Sequence, residues 1–149
     1  MKAKASHAAR ILLGLIFFVF GLNGFLHFIP QPPMSGPPVD FVGALIRSGY
    51  EFQLLKATEV IAGAVLLSGR FVPLALAVLA PIVVNIVAFH TFLAPAGLPL
   101  PIVVLALELF LAWSYRSAYR PMLGAHVQPD AASEDVALSA HGSLRGSHS

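Results

Sequence analysis

Polar and apolar positions along this chain are grouped in blocks. Apolar runs over about residues 11–29, 50–67, 71–93 and 100–115 are close to the length a helix needs to cross about 30 Å of hydrocarbon at about 1.5 Å per residue. Each is predicted to be a helix. The second run is the weakest because it contains Lys56 and Glu59. Ser68, Gly69 and Arg70 predict a tight turn into the third run, and Ala94 to Pro99 a short hairpin turn into the fourth. Between the first two runs, the proline-rich stretch from Pro30 to Pro38 predicts a stiff, extended segment. Asp40 then caps a short helix reaching about Ser48, with Phe41, Val42, Leu45 and Ile46 apolar. It is too short to span, so it lies in the outer interface or lids the bundle.

After Leu123 the chain turns to Gly, Ala, Ser, His and charges without apolar periodicity, which predicts a disordered cytoplasmic tail over 124–149. The expected fold is therefore all-α. It is a polytopic membrane protein with a four-transmembrane-helix bundle over 1–123 and a short external interfacial helix.

The basic arm holding Lys2, Lys4 and Arg10 precedes the first run, but that run is too long for a signal peptide and has no small-residue cleavage site after it. It reads as an uncleaved helix. Lys and Arg accumulate in cytoplasmic loops. With the N-terminus inside, Lys2, Lys4, Arg10, Arg70, Arg116 and Arg120 all fall on the cytoplasmic side, against Arg47 and the embedded Lys56 toward the other. Both termini are then cytoplasmic, and Trp113, Tyr115 and Tyr119 form an aromatic anchor at the inner interface.

Composition agrees. Hydrophobic residues make up 57% of the 149 residues and charged ones 11%, against about 25% charged in a soluble domain. The chain has no cysteine, which excludes a disulfide, a thiolate metal site and a thiol relay of its own. A net charge of +2 is explained by the cytoplasmic flanks and calls for no nucleic-acid partner.

The candidate chemistry lies inside the runs. Counted from the outer ends, Asn23 is about 9 Å deep, and Glu59, Asn85 and Glu108 each about 12 Å deep. His27, Lys56 and His90 lie about 3–8 Å below the outer face. This outlines an outward-facing funnel with carboxamides and carboxylates below basic groups. Asn23 and His27 share a helix face, as do Lys56 and Glu59. Gly63, one turn beyond Glu59, lets a partner helix come close to the carboxylate. The order Arg10, Asn23, His27, Pro30, Glu59 is answered by Arg70, Asn85, His90, Pro95, Glu108, as in a parallel internal repeat. Asn85 and His90 are five apart, so on an ideal helix they point about 140° apart and do not both face the centre.

Each residue also has a plain structural role open to it. The asparagines can be interhelical glue, the histidines can reach interfacial water, and Lys56 can pair with Glu59 or extend outward. Glu59 and Glu108 are the candidate catalytic carboxylates, since a buried carboxylate needs a partner or a proton. Asn23, His27, Lys56, Asn85 and His90 are the candidate ligand-binding groups.

The segment from Arg10 to Phe17, the Glu59-Val60-Ile61-Ala62-Gly63 stretch leading into Gly69 and Arg70, and the late His90 resemble the DoxX family of bacterial membrane proteins, over residues 10–123. The resemblance implies a four-helix fold in the inner membrane and a loose link to oxidoreductases through a quinone-reducing thiosulfate oxidoreductase subunit. It carries over Glu59 and His90. Three functions stay open: a small redox-associated subunit that binds a quinone beside a redox partner protein, a transporter or permease for a small solute or proton, and a structural or assembly partner. Alternating access with four helices calls for a homo-oligomer. Haem held between His27 and His90 is the less favoured form of the redox reading, given the helix-face conflict at His90.

Overall fold

A computed structural model describes residues 2–30 and 33–125. Its elements are α1 (Lys2–Leu26), α2 (Pro37–Arg47), α3 (Glu51–Ser68), α4 (Val72–Phe92), α5 (Pro99–Ser114) and α6 (Arg116–Tyr119), with 3-10 turns at Pro95–Gly97 and Arg120–Leu123. No strand occurs among the described residues. The first compact unit ends at Arg116, and residues from Ser117 belong to a second. The expected disordered tail lies, from residue 126 on, outside the described residues.

The helix boundaries differ from the apolar runs where local chemistry overrides hydropathy. α1 starts at Lys2 because its basic arm is built of good helix formers. It stops at Leu26, three residues before the apolar run does. His27 turns left-handed at φ 52°, and its N–H still reaches the Asn23 carbonyl at 3.0 Å. The Asn23 side chain then receives the Ile29 N–H at 2.6 Å, folding the chain back over the helix end.

Two expectations about α2 are corrected. Pro37 and Pro38 do not extend the linker but form the first turn of the helix, where a missing N–H costs nothing and the fixed φ is already helical. Asp40 is not the cap. Gly36 holds that position at φ 71°, and Asp40 sits in the first turn, where its charge complements the helix dipole.

Four long helices pack in a ring, α1 on α3, α3 on α4, α4 on α5 and α5 back on α1, while α2 leans on α3. Successive neighbours run antiparallel. On α1, Gly14, Gly21 and Gly24 meet Gly63, Val60 and Lys56 of α3 in reverse order. A Cβ on Gly63 would stand 2.6 Å from the Phe18 backbone nitrogen, and one on Gly21 would stand 2.9 Å from that of Val60. The two helices are thus in backbone contact, a distance open only to glycine.

Arg10 locks the far end of the same pair. It is 7% exposed, and its guanidinium donates to the Leu66 and Leu67 carbonyls and to Nδ1 of His7. The last carbonyls of α3, which have no partner inside the helix, are satisfied by a cation placed where the helix dipole favours one. A hydrogen bond between Ser6 and Ser114 ties α1 to α5 at this end.

The molecule is apolar outside and polar at chosen points within. Ile61, Leu74, Val84, Leu109 and Trp113 are exposed, whereas Arg10, Asn23, Glu59 and Glu108 are buried among Leu13, Leu66, Leu76, Leu79 and Leu111. α1 and α4 are each long and apolar enough to cross a membrane, so the chain is a membrane protein with two candidate spans. α3 has the length, with 18 residues, but carries Glu51, Lys56 and Glu59. α5 has 16 residues, just short of the about 17 that a bilayer core requires.

Candidate functional site

At the α2 end of the bundle, the four long helices separate around a cavity of about 430 Å³. Its walls are largely apolar, with Phe17 and Phe20 from α1, Phe52 from α3 and Phe89 from α4. α2 closes it from above through Phe41, Val42 and Leu45, which fall on one helix face by their spacing. The lid is seated by Phe41 on Phe89, with ring centroids 5.6 Å apart. The short helix thus contributes to the cavity wall, as the lid placement expected.

Four polar side chains reach the cavity: Lys56 and Glu59 on α3, and Asn85 and His90 on α4. The Lys56 ammonium donates to Oε2 of Glu59 at 2.8 Å, and the pair is i, i+3 on one face. Glu59 is only 3% exposed. The Lys56 Nζ also lies 5.8 Å from the centroid of the Phe52 ring, a cation–π distance. Its stem lies across Gly24, where a Cβ would come within 2.5 Å of the Lys56 Cγ and Cδ. Without a side chain at 24, the ammonium can be drawn in over the carboxylate.

His90 is held on two sides. Its Nδ1 donates to the Ile86 carbonyl at 2.9 Å, so in the neutral ring Nε2 is the acceptor. The hairpin turn covers its edge at Gly97, where a Cβ would stand 2.7 Å from Cδ2 and 3.0 Å from Nε2. Asn85 and His90 do reach one cavity, though differently. Asn85 is exposed, while His90 is half-buried. The expected helix-face conflict therefore does not keep either residue out of the cavity, and α4 has no break although Pro81 lies inside it.

Three of the seven candidates do not line the cavity. Asn23 is engaged by the Ile29 backbone, accepting from its N–H and donating to its carbonyl at 3.4 Å. His27 is exposed at the end of α1. Glu108 is buried, one turn of α5 past Val104 of the cavity wall. Among the described residues, no group of three or more His, Cys, Asp or Glu side chains could hold a metal ion.

Sequence reasoning placed Phe41 on the short helix but not against Phe89, and it missed the covering Gly97 and the capping role of Arg10. Phe41 and Gly97 carry no polar chemistry to draw attention, and the signal for Arg10 was an arginine inside the helix rather than ahead of it. No family model matches the chain, and no curated protein or solved structure matches it.

Proposed function

We propose that the chain is a four-span, DoxX-like protein of the bacterial inner membrane that binds the ring of a quinone in the lidded cavity, as a subunit of a redox assembly. The supporting observation is the two sets of polar side chains on neighbouring helices, Lys56 with Glu59 on one and Asn85 with His90 on the next, that line one otherwise apolar cavity. A quinone ring needs a flat apolar slot with a polar group at each carbonyl. Here Lys56 and the Asn85 amide can donate to a ring oxygen, and Nε2 of His90 can accept from the hydroxyl of the reduced form. Electrons would pass to or from a partner redox protein, and the chain would supply binding, orientation and polar contacts.

The binding reading is tested by titrating a short-chain quinone analogue into the purified protein in lipid nanodiscs and following saturable binding by calorimetry. Wild type is expected to bind. Gly97→Val, which displaces the His90 ring, should weaken binding at least about tenfold at an unchanged melting temperature. Absence of saturable binding by wild type would remove the reading and leave the polar groups as helix-register contacts.

The four-span topology has a separate test. With both termini cytoplasmic, a cysteine placed at Ser35 should react with an impermeant maleimide added to intact cells, and one placed at Ser133 should not. The reverse pattern would invert the orientation and put the cavity on the cytoplasmic side.

A further inference from the structure

One buried polar group takes no part in the cavity wall and lacks a partner. Glu108 is 4% exposed, and among the described residues its Oε2 has no hydrogen-bond partner. The buried positions of α5 are Pro101, Val104, Glu108 and Leu111, one stripe by their spacing. Pro101 and Val104 line the cavity, so the stripe runs from the cavity wall straight to Glu108, about 6 Å further along the axis.

Side chains on a helix lean toward its N-terminus, which in α5 is the cavity end. That lean inclines the Glu108 side chain toward the turn that holds Val104, a residue of the cavity wall.

The helices packed against α5 bring no countercharge to it. On α4 the one titratable side chain is His90, at the cavity. The hairpin turn Pro95–Gly97 has none. On α1 the groups are Lys2, Lys4, His7 and Arg10. The Ser6–Ser114 hydrogen bond registers the two helices and sets Glu108 level with about residue 12. Arg10 is the nearest of these, and its guanidinium is engaged by the Leu66 and Leu67 carbonyls and by His7. Glu59, the other buried carboxylate, differs in having Lys56.

A buried carboxyl with neither cation nor donor among the described residues, one turn from a cavity that four polar side chains line, has the placement of a proton-exchanging group rather than of helix glue, which requires a partner. We propose that Glu108 is a proton-binding site that exchanges with the cavity. In the exchange the carboxyl O–H bond breaks, its proton passes to a water molecule at the cavity floor, and the carboxylate regains a proton by the reverse step. This role does not depend on which ligand the cavity takes.

The test uses the full-length protein in lipid nanodiscs. A membrane-soluble carbodiimide, which reacts with protonated carboxyls, is expected to label Glu108 at least tenfold more than the ion-paired Glu59, as read by peptide mass spectrometry. Infrared spectra should show a protonated-carboxyl C=O band that shifts on transfer to heavy water and is missing in Glu108→Gln. Val104→Phe, which fills the cavity floor, should slow that shift at least tenfold while labelling persists. Failure of Glu108 to label, or a carboxyl band that never shifts, overturns the proton site. An unchanged shift in Val104→Phe overturns its link to the cavity. Labelling is read on wild type, so the proton site stays testable should Glu108→Gln fail to fold.

Discussion

Gly63→Leu should prevent α1 and α3 from pairing and lower the melting temperature in detergent by about 10 °C or more, or leave no monodisperse species. A Cβ at this position would meet the Phe18 nitrogen at 2.6 Å, the Gly14 carbonyl oxygen at 2.9 Å and the Phe18 Cα at 3.0 Å. All three are backbone atoms, so no rotamer change relieves the clash and the helices must move apart. Overpacking a core typically costs about 1–3 kcal/mol, and a contact that cannot yield locally belongs at or above the upper end. At this chain length about 3 kcal/mol corresponds to roughly 10 °C. The effect should be large because α1 and α3 make the most extensive helix pairing in the bundle. Ala64→Leu is the control: residue 64 is next in sequence but exposed, and the change should be nearly silent. Equal effects from the two variants would show that the close approach of α1 and α3 is not what holds the bundle.

The second large effect concerns the Lys56–Glu59 pair. Lys56→Met removes the cation from a carboxylate that is 3% exposed. Breaking a buried pair from one side costs about 3–5 kcal/mol, because the remaining charge is left uncompensated. Glu59→Gln should cost much less, about 1 kcal/mol, since the amide still accepts from Lys56, and Lys56 can extend toward water. In the double variant, Lys56→Met with Glu59→Gln, most of the loss should be recovered. Melting temperatures of wild type, both single variants and the double variant form a complete cycle, and a strong favourable coupling between the two changes is the expected result. Additive losses would mean that the 2.8 Å contact contributes little and that Lys56 acts through its stem on Gly24.

Much of the bundle was legible along the chain. The starts and ends of α3, α4 and α5 fall within a residue or so of the apolar runs, because a helix in an apolar setting needs only a continuous run bounded by turn residues. Gly69 marked its turn for the same local reason: at φ 73° it ends α3 with its N–H on the Leu66 carbonyl. The buried carboxylates could be named from their apolar flanks alone. Local rules erred where one residue type has two uses. Proline reads equally as a linker or as the first turn of a helix, and in α2 Pro37 and Pro38 are the latter. Asn23 reads as a ligand group or as interhelical glue, and it is instead occupied with the Ile29 backbone beyond its own helix end.

The sequence by itself determined that the chain is helical and apolar, which residues are too polar for hydrocarbon, and where close helix packing had to occur. It did not determine which of those polar residues meet. Depth counted along each helix put Glu59, Asn85 and Glu108 in one layer, yet Glu59 and Asn85 line the cavity and Glu108 does not. Depth is a local quantity, given by rise per residue, whereas meeting requires the rotation of each helix and its offset against its neighbours. Those are set by non-local contacts: Gly14, Gly21 and Gly63 between α1 and α3, Arg10 on the end of α3, and Phe41 of the lid on Phe89. Only when these contacts close together do Lys56, Glu59, Asn85 and His90 surround one space while Glu108 is left beneath it without a partner.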